Sequence, residues 1–137
     1  MSFVTRIRVR FGDCDPAGLV YYPVIFHYCH VAMEEFIEAR CGMSYDRLMR
    51  DYRLGFPTVN VRAEFLAPLV YGDEAEVTVS VARVGRTSVT FEYALRRAGD
   101  GTLCARSVQV HAAMNLDTRR AVPVADGLRD AFLKDDD

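Results

Sequence analysis

Residues 23–40, PVIFHYCHVAMEEFIEAR, read as one helix whose first turns are apolar almost all round. Pro23 suits the first helical position, where a missing N–H costs little, and Gly42 suits the C-terminal stop. Glu34, Glu35 and Glu38 share one face at 3.6-residue spacing, while Phe26, Cys29, Met33, Phe36 and Ile37 occupy the other. A helix of this kind has to be enclosed, and that requirement narrows the available folds more than any other feature.

Strands provide the enclosure. Ile7, Val9 and Phe11 alternate with Arg6, Arg8 and Arg10 before the helix. Ser44 to Tyr52 reads as a shorter helix that Ser44 can cap, and Gly55 and Pro57 then break the chain. Beyond them the period is two. Val59, Val61, Ala63 and Phe65 alternate with Asn60, Arg62 and Glu64, and Val77, Val79 and Val81 with Glu76, Thr78 and Ser80. Val89, Phe91, Tyr93 and Leu95 form a third set, and Val108, Val110, Ala112 and Met114 a fourth. Turn residues at Tyr71-Gly72-Asp73, Val84-Gly85-Arg86 and Gly99-Asp100-Gly101 imply antiparallel neighbours. Residues 124–133 read as a last helix, and the acidic end KDDD as frayed.

Strand, long helix and four long strands make an α+β domain in two layers, with residues 1–137 as one domain. One sheet face cannot cover a helix that is apolar nearly all round, so a second subunit is the expected cover. Half of the 137 residues are hydrophobic and 26% are charged, which suits a soluble domain. The net charge of -2 argues against nucleic acid as the main partner. No run approaches the ~20 apolar residues of a membrane span. MSFVTRIRVRF alternates and is no signal peptide, so the expected location is the cytoplasm. Cys14, Cys29, Cys41 and Cys104 match no zinc spacing and read as free thiols.

Chemistry concentrates in FGDCDPAGLVYYP, residues 11–23. A carboxylate just ahead of a helix lies near unpaired N–H groups that carry partial positive charge. Those N–H groups can cap a structural carboxylate or hold an oxyanion. An aspartate there is usually a cap or turn residue, but with Asp13 and Asp15 together one can be structural and the other a nucleophile or general base. Cys14 has no histidine fixed beside it to make a thiolate pair. His27 reads as a solvated or interface residue and His111 as ordinary surface or interface. The Arg6, Arg8, Arg10 row reads as a solvated strand face.

The same stretch closely resembles the active-site motif of the 4-hydroxybenzoyl-CoA thioesterase family, within the hotdog-fold superfamily. LGFPTV, RAEFLAPLVYGD and GRTSVTFEY extend the resemblance over most of the chain. It implies a sheet wrapped around a long central helix, active sites at a dimer interface, and hydrolysis of an acyl-CoA thioester. By resemblance, Asp15 is the catalytic carboxylate, the Tyr22 backbone N–H polarises the carbonyl, and Asp13 holds the loop. Tyr21, Phe26, His30, Pro57 and Thr58 are the expected acyl-group contacts, and Arg83, Arg86, Thr87 and Ser88 the expected CoA contacts. No metal and no cofactor apart from the CoA of the substrate is expected.

Two departures stand out. The turn RVGRTS has Gly85 and Thr87 where relatives have basic residues, so Arg96, Arg97 or a neighbouring subunit can share the phosphate contact. His30 occupies the place of a helix carboxylate that meets the ring hydroxyl in 4-hydroxybenzoyl-specific relatives, which leaves the ring substituent open. The leading function is therefore a thioesterase for benzoyl-type CoA esters, as a homodimer or a homotetramer built from two dimers. The alternatives are a thioesterase for short aliphatic acyl-CoA or acyl-carrier-protein esters, and a non-catalytic acyl-CoA binding module.

Overall fold

The computed structural model describes residues 3–134. Of the acidic end, residues 135–137 lie outside them. Strand β1 (Phe3–Arg8) leads through a single 3-10 turn (Phe11–Asp13) to helix α1 (Tyr22–Cys41) and then α2 (Tyr45–Tyr52). The strands β2 (Leu54–Gly55), β3 (Thr58–Phe65), β4 (Glu74–Val84), β5 (Ser88–Arg97) and β6 (Leu103–Ala112) follow. β7 (Met114–Asn115), β8 (Arg120–Ala121) and α3 (Asp126–Leu133) complete the chain.

Local signals end the helices where the chain chemistry predicts. Gly42 sits in the left-handed region at φ 70° and donates its N–H to Glu38 O at 3.0 Å, stopping α1. Ser44 Oγ accepts the Arg47 N–H at 3.1 Å and caps α2. On α1 the residues Ile25, Tyr28, Cys29, Ala32, Met33, Phe36 and Ile37 are buried, one stripe at helical spacing. Phe26 was expected on that stripe but lies at its edge, half-buried.

The main sheet runs β1-β4-β5-β6-β3, all antiparallel, and its inner face packs on α1. The turns at 85–87 and 99–101 join neighbours, as expected. The turn at Tyr71-Gly72-Asp73 does not, because β3 pairs with β6 at the far edge. Residues 66–73 instead cross the end of the sheet, tied down by Leu66 and Ala67 N–H bonds to Cys104 O at 2.7 and 3.1 Å. Their return places β4 beside β1, where Arg6 bridges Glu74 and Glu76, both at 3.1 Å. The basic face of β1 is thus partly a cross-strand ion-pair face.

Strand β6 corrects a second expectation. Its inward residues are Ala105, Ser107, Gln109 and His111, while Val108 and Val110 face outward. Register decides this: Phe91 opposes Gln109 and Val89 opposes His111, and directly opposed residues share a face. The buried polar groups satisfy one another. Ser107 Oγ donates to Arg62 O at 2.8 Å, and Gln109 Nε2 donates to Ser107 Oγ at 3.2 Å. His111, only 1% exposed, contacts Phe56 O and Thr58 Oγ1 through Nδ1, each at 3.1 Å. The histidine read as surface is a core histidine.

Burial pulls the His111 pKa from 6.5 down to about 4, against the Phe56 carbonyl bond, which favours the charged ring. The folded state therefore binds fewer protons than the unfolded state between those values. Stability should fall as pH drops from about 6.5 towards 4, by up to ~1.4 kcal/mol per pH unit for this group. Urea melts at pH 7, 6 and 5 check this, with His111→Gln expected to flatten the slope.

Candidate active site

The motif folds as a tight hairpin that delivers its chain into α1. Asp15 N–H donates to Leu19 O and Gly18 N–H to Asp15 O, both at 2.9 Å, and Cys14 bridges Val20. Gly18 lies at φ 87°, a region where a side chain would be strained, and Pro16 presets the turn. The Ala17 N–H donates to Asp15 Oδ1 at 2.9 Å. One carboxylate oxygen is thereby anchored, so Asp15 is both a turn residue and the owner of a second oxygen with no partner among the described residues.

Asp13 has a different job. Its Oδ2 accepts the Arg10 N–H at 3.0 Å and the Tyr28 hydroxyl at 2.6 Å, and its carbonyl accepts the Tyr21 N–H at 3.0 Å. Burial, then the bond to Asp13, raises the Tyr28 pKa well above the usual range for tyrosine, so this hydroxyl stays a donor. The pair clamps the loop to the middle of α1. Cys14 Sγ reaches only Arg10 O, at 3.8 Å, and no histidine contacts it among the described residues.

At the helix entrance Val24 N–H folds back to Tyr21 O at 2.8 Å, and Pro23 has no N–H to offer. The Tyr22 N–H makes no bond among the described residues. It is a single donor at the positive end of a 20-residue helix. Asp15, Tyr21, Tyr22 and Phe65 wall one cavity of about 270 Å³ with Pro68, Leu69 and Cys104. Phe65 packs edge-on against Tyr22 at 6.2 Å and Phe26 at 6.0 Å, yet is 51% exposed. Phe65 was not among the expected contacts. Its signal was present in the sequence, as the last apolar position of β3.

Other expected residues lie elsewhere in the chain. His30 is two turns further along α1, about 12 Å from Tyr22 at 1.5 Å per residue. Its Nδ1 meets Glu34 Oε2 at 2.8 Å, and its ring lies 6.0 Å from that of Tyr45. Since a carboxylate only accepts, Nδ1 carries the proton and Nε2 is the free nitrogen. Thr58 lies beside His111, seven residues along β3 from Phe65, or about 23 Å at strand spacing. Pro57 O accepts the Ala112 N–H at 3.0 Å at that same end. Arg83, Arg86, Thr87 and Ser88 flank the β4–β5 turn, ten residues of strand away from Glu74, or about 33 Å. Arg96 and Arg97 sit at the opposite end of β5 from that turn. Arg97 is held there by Asp100 at 2.8 Å and Pro68 O at 2.5 Å.

The chain thus carries two groups at opposite ends of β3. Asp15, Tyr21, Tyr22, Phe26 and Phe65 form one, and Pro57, Thr58 and the β4–β5 turn the other. Among the described residues, no cluster of His, Cys, Asp or Glu is arranged to hold a metal ion. None of their helices is long and apolar enough to cross a membrane.

Comparison with known proteins gives the family. A model of the thioesterase-like superfamily matches residues 9–132. A 1,4-dihydroxy-2-naphthoyl-CoA hydrolase of Rippkaea orientalis is 31% identical over 130 residues, covering 93% of this chain and 92% of its own. The solved structure of a gentisyl-coenzyme A thioesterase has a TM-score of 0.86 at 28% identity, over 95% of this chain and 99% of that one. A 1,4-dihydroxy-2-naphthoyl-CoA thioesterase from Synechocystis also has a TM-score of 0.86, over 96% of both chains, and at 23% identity speaks for the fold alone. With fold and matches in agreement, the chain belongs to the thioesterase-like superfamily and is a thioester hydrolase of the hotdog fold.

Proposed function

We propose that the protein hydrolyses an aromatic acyl-CoA thioester to the free acid and CoA at the cavity of Asp15. The observation that carries this reading is the placement on one small cavity of a half-free carboxylate, a helix-entrance N–H and the tyrosine and phenylalanine rings. The Tyr22 N–H donates to the developing oxyanion, helped by the helix dipole. The Asp15 carboxylate either adds to the thioester carbon, expelling the CoA thiolate and leaving a mixed anhydride that water cleaves, or takes a proton from the attacking water. A thiolate leaves readily, so neither route needs a strong general acid.

The site is proposed to be shared between two copies. β3 is an edge strand whose Val59, Val61 and Phe65 are 61%, 43% and 51% exposed, a hydrophobic edge that a single chain leaves open. Antiparallel pairing of two β3 edges about a two-fold axis brings the Asp15 end of one copy to the Thr58 and Arg86 end of the other. That arrangement also covers the exposed side of the first turns of α1, which one sheet leaves bare. A dimer, or a tetramer of two such dimers, is the proposed form.

His30 and Glu34 are proposed to read the ring. With Nδ1 bonded to Glu34, the other ring nitrogen of His30, Nε2, is the one proposed to meet a ring hydroxyl. Dihydroxynaphthoyl and gentisyl groups, the acyl groups named for two relatives, fit this chemistry. The test is kcat/KM over a panel of benzoyl, hydroxybenzoyl, hydroxynaphthoyl and C4–C8 aliphatic CoA esters. Hydroxylated aromatic esters should exceed aliphatic ones by at least ~10-fold, and His30→Ala should erase the gain from the hydroxyl, about one hydrogen bond's worth. Equal or better rates with aliphatic esters would sink the aromatic reading.

A further inference from the structure

We infer that Arg129 is a positioning residue that shapes the β4–β5 turn into an anion cradle for the nucleotide phosphates of CoA. This rests on the acyl-CoA reading above and concerns a residue outside the motif. Four consecutive carbonyls of the turn are each taken by a donor from later in the chain. Val84 O and Gly85 O accept from Arg129 Nη1 and Nη2, both at 2.9 Å. Arg86 O accepts the Val124 N–H and Thr87 O the Ala113 N–H, both at 2.8 Å. Arg129 itself rides on α3, which Phe132 anchors in the core against Phe36, Phe56 and Phe91 at ring distances of 6.0, 5.7 and 6.0 Å.

The consequence follows from peptide geometry. In a planar trans peptide the C=O and the next N–H point in opposite directions. With the Gly85 and Arg86 carbonyls turned onto the protein, the Arg86 and Thr87 N–H groups are turned away from it. Neither has a partner among the described residues. Two outward backbone donors, flanked by the guanidinium-bearing Arg83 and Arg86, match what a phosphate group binds. RVGRTS carries two basic residues, Arg83 and Arg86, and the backbone donors held by Arg129 add to them. A simpler view makes Arg129 a strut that only stabilises the C-terminal helix. The two views differ in what they predict for substrates without a nucleotide.

The experiment compares one acyl group on CoA and on pantetheine, which lacks the nucleotide phosphates. Arg129→Ala should raise KM for the CoA ester about 10-fold, as expected when a preorganised loop is freed, with kcat within about two-fold. KM for the pantetheine ester should move less than about two-fold. Arg129→Lys, which keeps the charge but not the fork that spans two carbonyls, should fall between. Equal KM shifts for both esters, or no shift for either, would overturn the inference. If Arg129→Ala does not fold, Arg129→Lys decides by the same comparison. The variant Arg83→Ala/Arg86→Ala separates the two readings. If it leaves the CoA-to-pantetheine ratio untouched, the turn does not bind CoA and the parent reading fails there. If it collapses that ratio while Arg129 variants do not, only the role of Arg129 is lost.

Discussion

Asp15→Asn is expected to turn over the best aromatic CoA ester at least ~100-fold more slowly than the wild type, a loss of about 2.7 kcal/mol in transition-state stabilisation. The substitution is nearly isosteric, and an asparagine oxygen can still accept the Ala17 N–H that Asp15 Oδ1 accepts at 2.9 Å. The hairpin therefore keeps its shape while the negative charge disappears. An amide is a poor nucleophile and a poor base, so both routes through Asp15 fail together. Steady-state kinetics with a thiol-reactive dye measures the loss, and a thermal melt within a few degrees of wild type shows that the fold survives. Cys14→Ser, in the same loop, should stay within about two-fold, because the hydrogen bond of that thiol goes to a backbone carbonyl, which a serine hydroxyl can also meet. Full activity in Asp15→Asn would remove Asp15 from the chemistry altogether.

Phe91→Ala should cost about 3–5 kcal/mol of folding stability, the range for deleting a buried aromatic ring. Phe91 is fully buried at the centre of the inner sheet face, with ring contacts to Phe36 at 5.5 Å and His111 at 5.3 Å. Tyr93 at 6.2 Å and Phe132 at 6.0 Å complete the cluster. These neighbours belong to α1, β6, β5 and α3, so the cavity left by alanine is walled by four elements and cannot close by moving one. Urea denaturation reads the loss directly, and the melting temperature should fall by roughly 10–20 °C for a chain of this size. A loss below about 1 kcal/mol would mean that the helix and sheet do not meet at this ring.

Some of the architecture was legible in the residue pattern because its causes are local. Proline and glycine mark the ends of α1, Ser44 caps α2, and the strict alternations of β4 and β5 assign their faces correctly. The stretch before α1 was legible only as a loop, and its closure into a hairpin by the Asp15 and Leu19 bond came from the structure. What failed was decided at a distance. Val108 and Val110 suggested the wrong face for β6, because the inward side is filled by polar residues whose partners are Arg62 O, Phe56 O and Thr58, 45 to 55 positions away. The turn before β4 looked like any hairpin turn, and only the pairing of β3 with β6 shows that it ends a crossing.

The candidate site divides along the same line. Resemblance alone divided the roles of Asp13 and Asp15 and singled out the Tyr22 N–H. By itself the sequence determined that two aspartates lie in a loop just ahead of a helix and that a proline stands at the entrance of that helix. Each of those facts is written within about eight residues, where covalent geometry leaves few choices. Tertiary structure alone decided that Asp13 is spent on Tyr28, that Phe65 joins Tyr22 and Phe26 as a wall, and that Arg129 holds the β4–β5 turn. It also decided that the expected contacts form two groups about 23 Å apart along β3. The physical reason is that a side chain's partners across a sheet are set by register and strand order, which no local pattern encodes.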